Sequence, residues 1–157
     1  MYQLEEWAVR QLVAVLQEAF EGSDRDWSYF TDEGPQAGLL GSVESLSAEE
    51  ASRPVAGSSV AAHVHHVTFA LDASRDWIRG EWTPRDWTDS WRVQAVDADA
   101  WQRLQRDLRR AYSELREEVE RRGTSSEEAF GGAVAAVAHC AYHLGAVRQK
   151  VALLRGR

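Results

Sequence analysis

Five histidines fall in two short segments, and their spacing is the first pointer to chemistry. His139-Cys140-Ala141-Tyr142-His143 sets two imidazoles four residues apart. On a helix these positions lie one turn apart on one face, so both rings can reach one metal ion. The helical zinc-protease signature also needs Glu directly after the first His, and Cys140 stands there instead. A helix-borne Glu base is thereby excluded. The second segment is His63-Val64-His65-His66. On a wheel of 100° per residue, Val60, Val64, Val67 and Leu71 form the apolar centre. His63 and His66 extend that sector, whereas His65 falls among Asp72, Arg75 and Asp76 and is expected to face water. Three imidazoles with one open position are the arrangement of catalytic zinc-like sites. Such neutral ligands leave the ion's charge uncompensated and favour a bound anion such as hydroxide or thiolate. A buried His can equally be satisfied by a carbonyl or a carboxylate, so the conjunction of the two segments carries the reading.

The elements that must position these residues are helical. Apolar residues recur at three- and four-residue steps in four segments. The first runs from Tyr2 to Glu21 through Leu4, Ala8, Leu12, Val15, Leu16 and Ala19, and Gly22 ends it. The second runs from Ser59 to Arg79, capped by Ser58 or Ser59 and closed by Gly80. The third runs from Asp97 to Arg122 on a stripe of Trp101, Leu104, Leu108, Ala111, Leu115 and Val119. Its pairs Asp99–Arg103, Glu117–Arg121 and Glu118–Arg122 predict a solvated face. The fourth runs from Ser126 to Leu154, with Ser125 as its expected cap. A short extra helix is expected between Pro35 and Glu44. No segment alternates as a strand does. The prediction is an all-α four-helix bundle, one domain over residues 1–157, with long crossover connections. Roughly 35 residues separate the first two helices and about 17 the next two, where simple bundles use short turns.

Two runs resemble the DinB-like superfamily of four-helix-bundle metalloenzymes. They are Ser58-Ser59-Val60-Ala61-Ala62-His63-Val64-His65-His66-Val67 and Ala138-His139-Cys140-Ala141-Tyr142-His143 continuing to Gln149. Asp86-Trp87-Thr88-Asp89-Ser90-Trp91 resembles a subset of the same proteins. The resemblance implies a metal on His66, His139 and His143. Periodicity alone leaves His63 at least as deep as His66. The resemblance further implies a homodimer and chemistry like that of thiol-dependent S-transferases, which are related to the mycothiol-dependent maleylpyruvate isomerases. A divalent ion, zinc or nickel, and a low-molecular-weight thiol cosubstrate are the expected cofactors. The alternative is a non-catalytic, dimeric, stress-related binding protein whose metal is structural or absent.

Neighbouring candidates are less determined. Trp77, Trp82, Trp87 and Trp91 form either an aromatic plug at the bundle end or the wall of a pocket above the metal. Trp91 is the first candidate for a pocket residue. Tyr142 points about 100° from the two helix-borne ligands and suits packing or a supporting hydrogen bond. Arg148 could hold an anionic substrate group or bridge to another helix. Cys140 turns off the metal face and reads as a small buried residue.

Composition bounds the partners. Acids outnumber bases, 25 to 18, for a net charge of −7. That disfavours a surface for nucleic-acid phosphates or an anionic membrane. One cysteine excludes an intrachain disulfide and suits a reduced, cytoplasmic setting. No run of about 18 consecutive apolar residues is present, which predicts no membrane span. A small-molecule substrate is the expected partner.

Overall fold

The computed structural model describes residues 2–156, with side chains from residue 6 onward. Among the described residues it has six α-helices, α1 (Tyr2–Glu21), α2 (Leu39–Glu44), α3 (Ala48–Ser52), α4 (Val60–Ile78), α5 (Ala98–Arg122) and α6 (Glu127–Leu154), and two 3-10 turns, Pro35–Ala37 and Trp87–Trp91. No strand occurs among the described residues; two isolated bridges, Ser23 to Glu33 and Val55 to Ser58, pin loops. The all-α architecture expected from the sequence is the one observed.

Four long helices make the bundle. α4 packs against α5 and α6, and α1 packs against the same two from the other side. Consecutive long helices α1 and α4 are therefore diagonal partners, and the crossing segment between them carries α2 and α3. Leu108, Ala111, Leu115 and Val119 of α5 meet Val60, Val64, Val67 and Leu71 of α4 in one buried core with Leu16 and Phe20 of α1. Burying side chains of this size stabilises by roughly 2 kcal/mol each, before the entropy of ordering them is subtracted.

Helix ends follow local chemistry. Ser59 caps α4 by accepting from Ala62 N, and Asp97 caps α5 by accepting from Ala100 N. The α6 cap is Ser126, not Ser125, because Ser126 Oγ accepts from Ala129 N while Ser125 Oγ turns back to Arg122 O. The α1 stripe is only partly core. Ala8, Leu12 and Val15 border an apolar groove of about 360 Å³ shared with Phe130, Val134 and Val137 of α6. Leu4 lies outside the described side chains.

One charge expectation changes. Glu118 does not sit on a solvated face. It is 2% exposed and bound by Arg79, the C-terminal cap of α4, as well as by Arg121 and Arg122. Its place beside Leu115 and Val119 carries it into the α4–α5 contact. Separately, α6 is long and apolar enough, by length and composition alone, to cross a membrane, with a mean hydropathy of 1.3 over its best window. Its Ala, Val and Leu content reaches that value without one unbroken apolar run. In the fold it is a bundle helix packed on α1, α2 and α4.

The segment between α1 and α2 is ordered around one carboxylate. Glu18 is 1% exposed and accepts from the backbone N–H groups of Tyr29, Phe30 and Thr31 at 2.8–3.0 Å. These bonds and the Thr31 hydroxyl hold its pKa below the usual range against the opposing effect of burial. Gly22 turns the chain here at φ 75°, a conformation that favours glycine.

Candidate metal centre

α4 presents His63 and His66 inward from successive turns, and α6 presents His139 and His143 toward them. The Nε2 atoms of His66 and His139 lie 3.1 Å apart, as do those of His143 and His139. One ligand atom from each of His66, His139 and His143 lies within 4.8 Å of the others. His66 and His143 are buried, and His139 is half-buried.

Burial also sets their protonation. Desolvation lowers His143 from the usual 6.5 to about 3, helped by the neighbouring histidines. It lowers His66 to about 4 in the same way. His63 falls to about 4, through desolvation first and the Lys150 cation second. His139 is lowered by desolvation. At neutral pH all four rings are uncharged, the state in which an imidazole nitrogen can bind a metal.

The outward nitrogens have partners. His66 Nδ1 meets Ser90 Oγ at 2.8 Å, and Ser90 Oγ donates to Trp87 O at 2.6 Å. His143 Nδ1 meets His63 Nδ1 at 2.9 Å, and His63 Nε2 meets Ser58 Oγ at 3.0 Å. His63 thus lies behind His143, with one ring nitrogen on His143 and the other on Ser58. The indole of Trp91 stacks on His66, centroids 4.1 Å apart and planes 17° apart, and meets His63 edge-on at 5.3 Å.

His65 departs from its expected place in water. It is half-buried, and its Nδ1 lies 2.7 Å from Ser90 O. The wheel points it away from the core correctly, but the 3-10 turn Trp87–Trp91 packs over that face of α4. The tryptophans do not form a buried plug: Trp82 and Trp87 are exposed, and Trp77 stacks on Trp82 while meeting Trp87 at a tilt. Tyr142 is 73% exposed and touches His143 only edge-on, at 5.1 Å. Arg148 is paired with Asp32 of the α1–α2 segment, not with another helix. Cys140 is buried, and desolvation pushes its thiol up to about 12. Ser58, expected only as a possible helix cap, and Ser90 are short hydroxyl side chains with no periodic signature that would have pointed to the cluster.

The family model of the DinB superfamily matches residues 32–147, most of the chain. The chain belongs to the DinB superfamily. No curated protein and no solved structure gives a significant match. In this DinB protein the matched stretch contains the four inward histidines, Ser58, Ser90 and Trp91, and leaves α1 outside.

The donor set fits a divalent ion. Three neutral nitrogens converge, and the two buried rings are held from behind, as metal-ligating histidines usually are. Among the described residues the cluster holds three histidines and no carboxylate. A fourth, closing ligand of the kind found in structural zinc sites is not part of it.

Proposed function

We propose that this DinB protein is a metal-dependent enzyme acting on a small electrophilic molecule. Transfer of a low-molecular-weight thiol is the leading chemistry, with hydrolysis at the same centre as its neighbour. Supporting it is the convergence of Nε2 of His66, His139 and His143, with the outer nitrogens of the two buried rings already bonded. A divalent ion such as zinc or nickel would supply Lewis acidity there and ease loss of the nucleophile's proton.

The chain's own residues do the rest. His66 and His143 hold their Nε2 atoms inward and fixed. Trp91 covers one face of His66 and keeps water from it. His139, half-buried, marks the side open to substrate. Cys140 cannot serve as the nucleophile, since its buried thiol stays protonated at neutral pH. It is the only cysteine, so the thiol comes from outside. The proposed assembly is a homodimer.

Elemental analysis of freshly purified protein tests this directly. We expect one divalent ion per chain, lost in His66→Ala, His139→Ala and His143→Ala, and thiol-dependent consumption of a small electrophile only with metal bound. Absence of stoichiometric metal, or full metal content in His139→Ala, refutes the assignment.

A further inference from the structure

We infer that a single oriented hydrogen-bond chain, anchored at the Trp87 carbonyl and ending at Ser58, presets His66 and His143 as Nε2 ligands. His63 and Ser90 are then positioning residues, and His139 is the ring through which an ion enters. The inference rests on the metal-site reading above for its purpose, but the proton positions follow from the contacts once the rings are neutral.

The Trp87 carbonyl can only accept, so the Ser90 hydroxyl, 2.6 Å away, donates its one proton to it. Ser90 Oγ has no second proton to give. The 2.8 Å contact with His66 Nδ1 therefore requires that Nδ1 carry the proton. A neutral imidazole protonated at Nδ1 is bare at Nε2. His66 Nε2 lies 3.1 Å from His139 Nε2, so His139 must donate from Nε2. His139 Nε2 also lies 3.1 Å from His143 Nε2, and two N–H groups cannot face each other there. His143 is therefore bare at Nε2, shares the His139 proton with His66, and carries its own proton on Nδ1. The 2.9 Å contact of His143 Nδ1 makes His63 Nδ1 the acceptor. His63 then holds its proton on Nε2 and gives it to Ser58 Oγ at 3.0 Å.

With the rings neutral and each contact a hydrogen bond, every step has one solution. Both buried rings already present lone pairs to the centre. Only His139 blocks it, and His139 is the ring that solvent reaches. Its Nε2 proton passes to water and a water proton reaches its Nδ1, so entry of the ion changes the tautomer of one accessible ring and leaves the buried ones alone. The same logic sets His63 apart from the ligands, because its bare Nδ1 is spent on His143.

The test is proton-detected imidazole ¹⁵N spectroscopy of the metal-free, full-length protein at pH 7.5. His66 and His143 should be protonated at Nδ1, and His63 and His139 at Nε2. His143 protonated at Nε2, or His66 averaging between tautomers, overturns the inference whatever the metal content. Zinc affinity, measured against a competing chelator, gives a second reading. Ser90→Ala and His63→Leu should each weaken zinc binding about tenfold. Ser90→Thr, which keeps the hydroxyl, and His63→Gln, which can still accept from His143, should restore most of it. Unchanged affinity in Ser90→Ala and His63→Leu counts against the chain. The predicted tautomers in a protein that binds no zinc would leave the chain standing and refute the metal-site reading instead.

Discussion

Mild acid should unfold the metal-free protein, and His143 should account for a definable share of that loss. His143 is 3% exposed, and its burial among three other imidazoles lowers its pKa from the usual 6.5 to about 3. The folded state therefore resists the proton that the unfolded chain accepts. With the folded pKa depressed, its stabilising effect is complete above pH 6.5 and is lost as pH falls from there toward 3. Each pH unit in that window is worth about 1.4 kcal/mol. At pH 5 the His143 contribution has fallen by about 2 kcal/mol. His63 and His66, both lowered to about 4, add comparable losses. Their sum is bounded at roughly 6 kcal/mol, a large part of a domain's usual 5–15 kcal/mol. The assay is urea denaturation of chelator-stripped protein at pH 7.5 and pH 5.0, for wild type and His143→Gln. Wild type should lose about 2 kcal/mol more than the variant between the two conditions. Parallel losses would show that His143 is not held neutral by burial, and the reading of the cluster as four uncharged rings would fall with it.

Other consequences are local. Glu18→Ala strips three backbone N–H groups of their acceptor and should cost about 3 kcal/mol in denaturation, with faster proteolysis between residues 22 and 34. Gly41→Ala drives a Cβ into the Pro35 carbonyl and should lower stability by roughly 1–3 kcal/mol, read as a lower urea midpoint. Tyr142→Phe should leave metal content and stability within about 0.5 kcal/mol of wild type, since the side chain is largely in solvent. A clear loss of metal in that variant would assign its hydroxyl a part in the site.

The four long helices were legible because each repeats its apolar residues through several turns, and periodicity survives ignorance of the partner. α3 was not, because five residues hold too little of a period. Its signal was the capping box, with Ser47 and Glu50 bonding reciprocally to each other's backbone N–H. Glu118 was misplaced because an i,i+4 pair with Arg122 looks the same on a solvated face and at a helix–helix contact. The neighbouring Leu115 and Val119 were the available warning. For the histidines, the wheel put both His63 and His66 inside, and both are buried. It could not rank them, since depth does not distinguish a ring at the centre from one behind it. That difference lies in which nitrogen meets which partner, and no spacing rule contains it.

The connection from α4 to α5 shows why half of the site had no sequence period. Residues 87–91 fold back on α4 and bring Ser90 and Trp91 to opposite aspects of the same imidazole, an edge hydrogen bond and a face-on stack. Neither residue lies on a long helix, so neither position is constrained by a repeating apolar stripe. Their placement depends on closure of the turn: Asp86 accepts from Thr88 N, and Ser90 Oγ donates to Trp87 O. That last bond spends the hydroxyl proton inside the turn, so what faces His66 is an acceptor. The chemistry of the centre is thus set by a loop whose internal hydrogen bonds must form first, and a connection longer than two adjacent helices need is what carries it there.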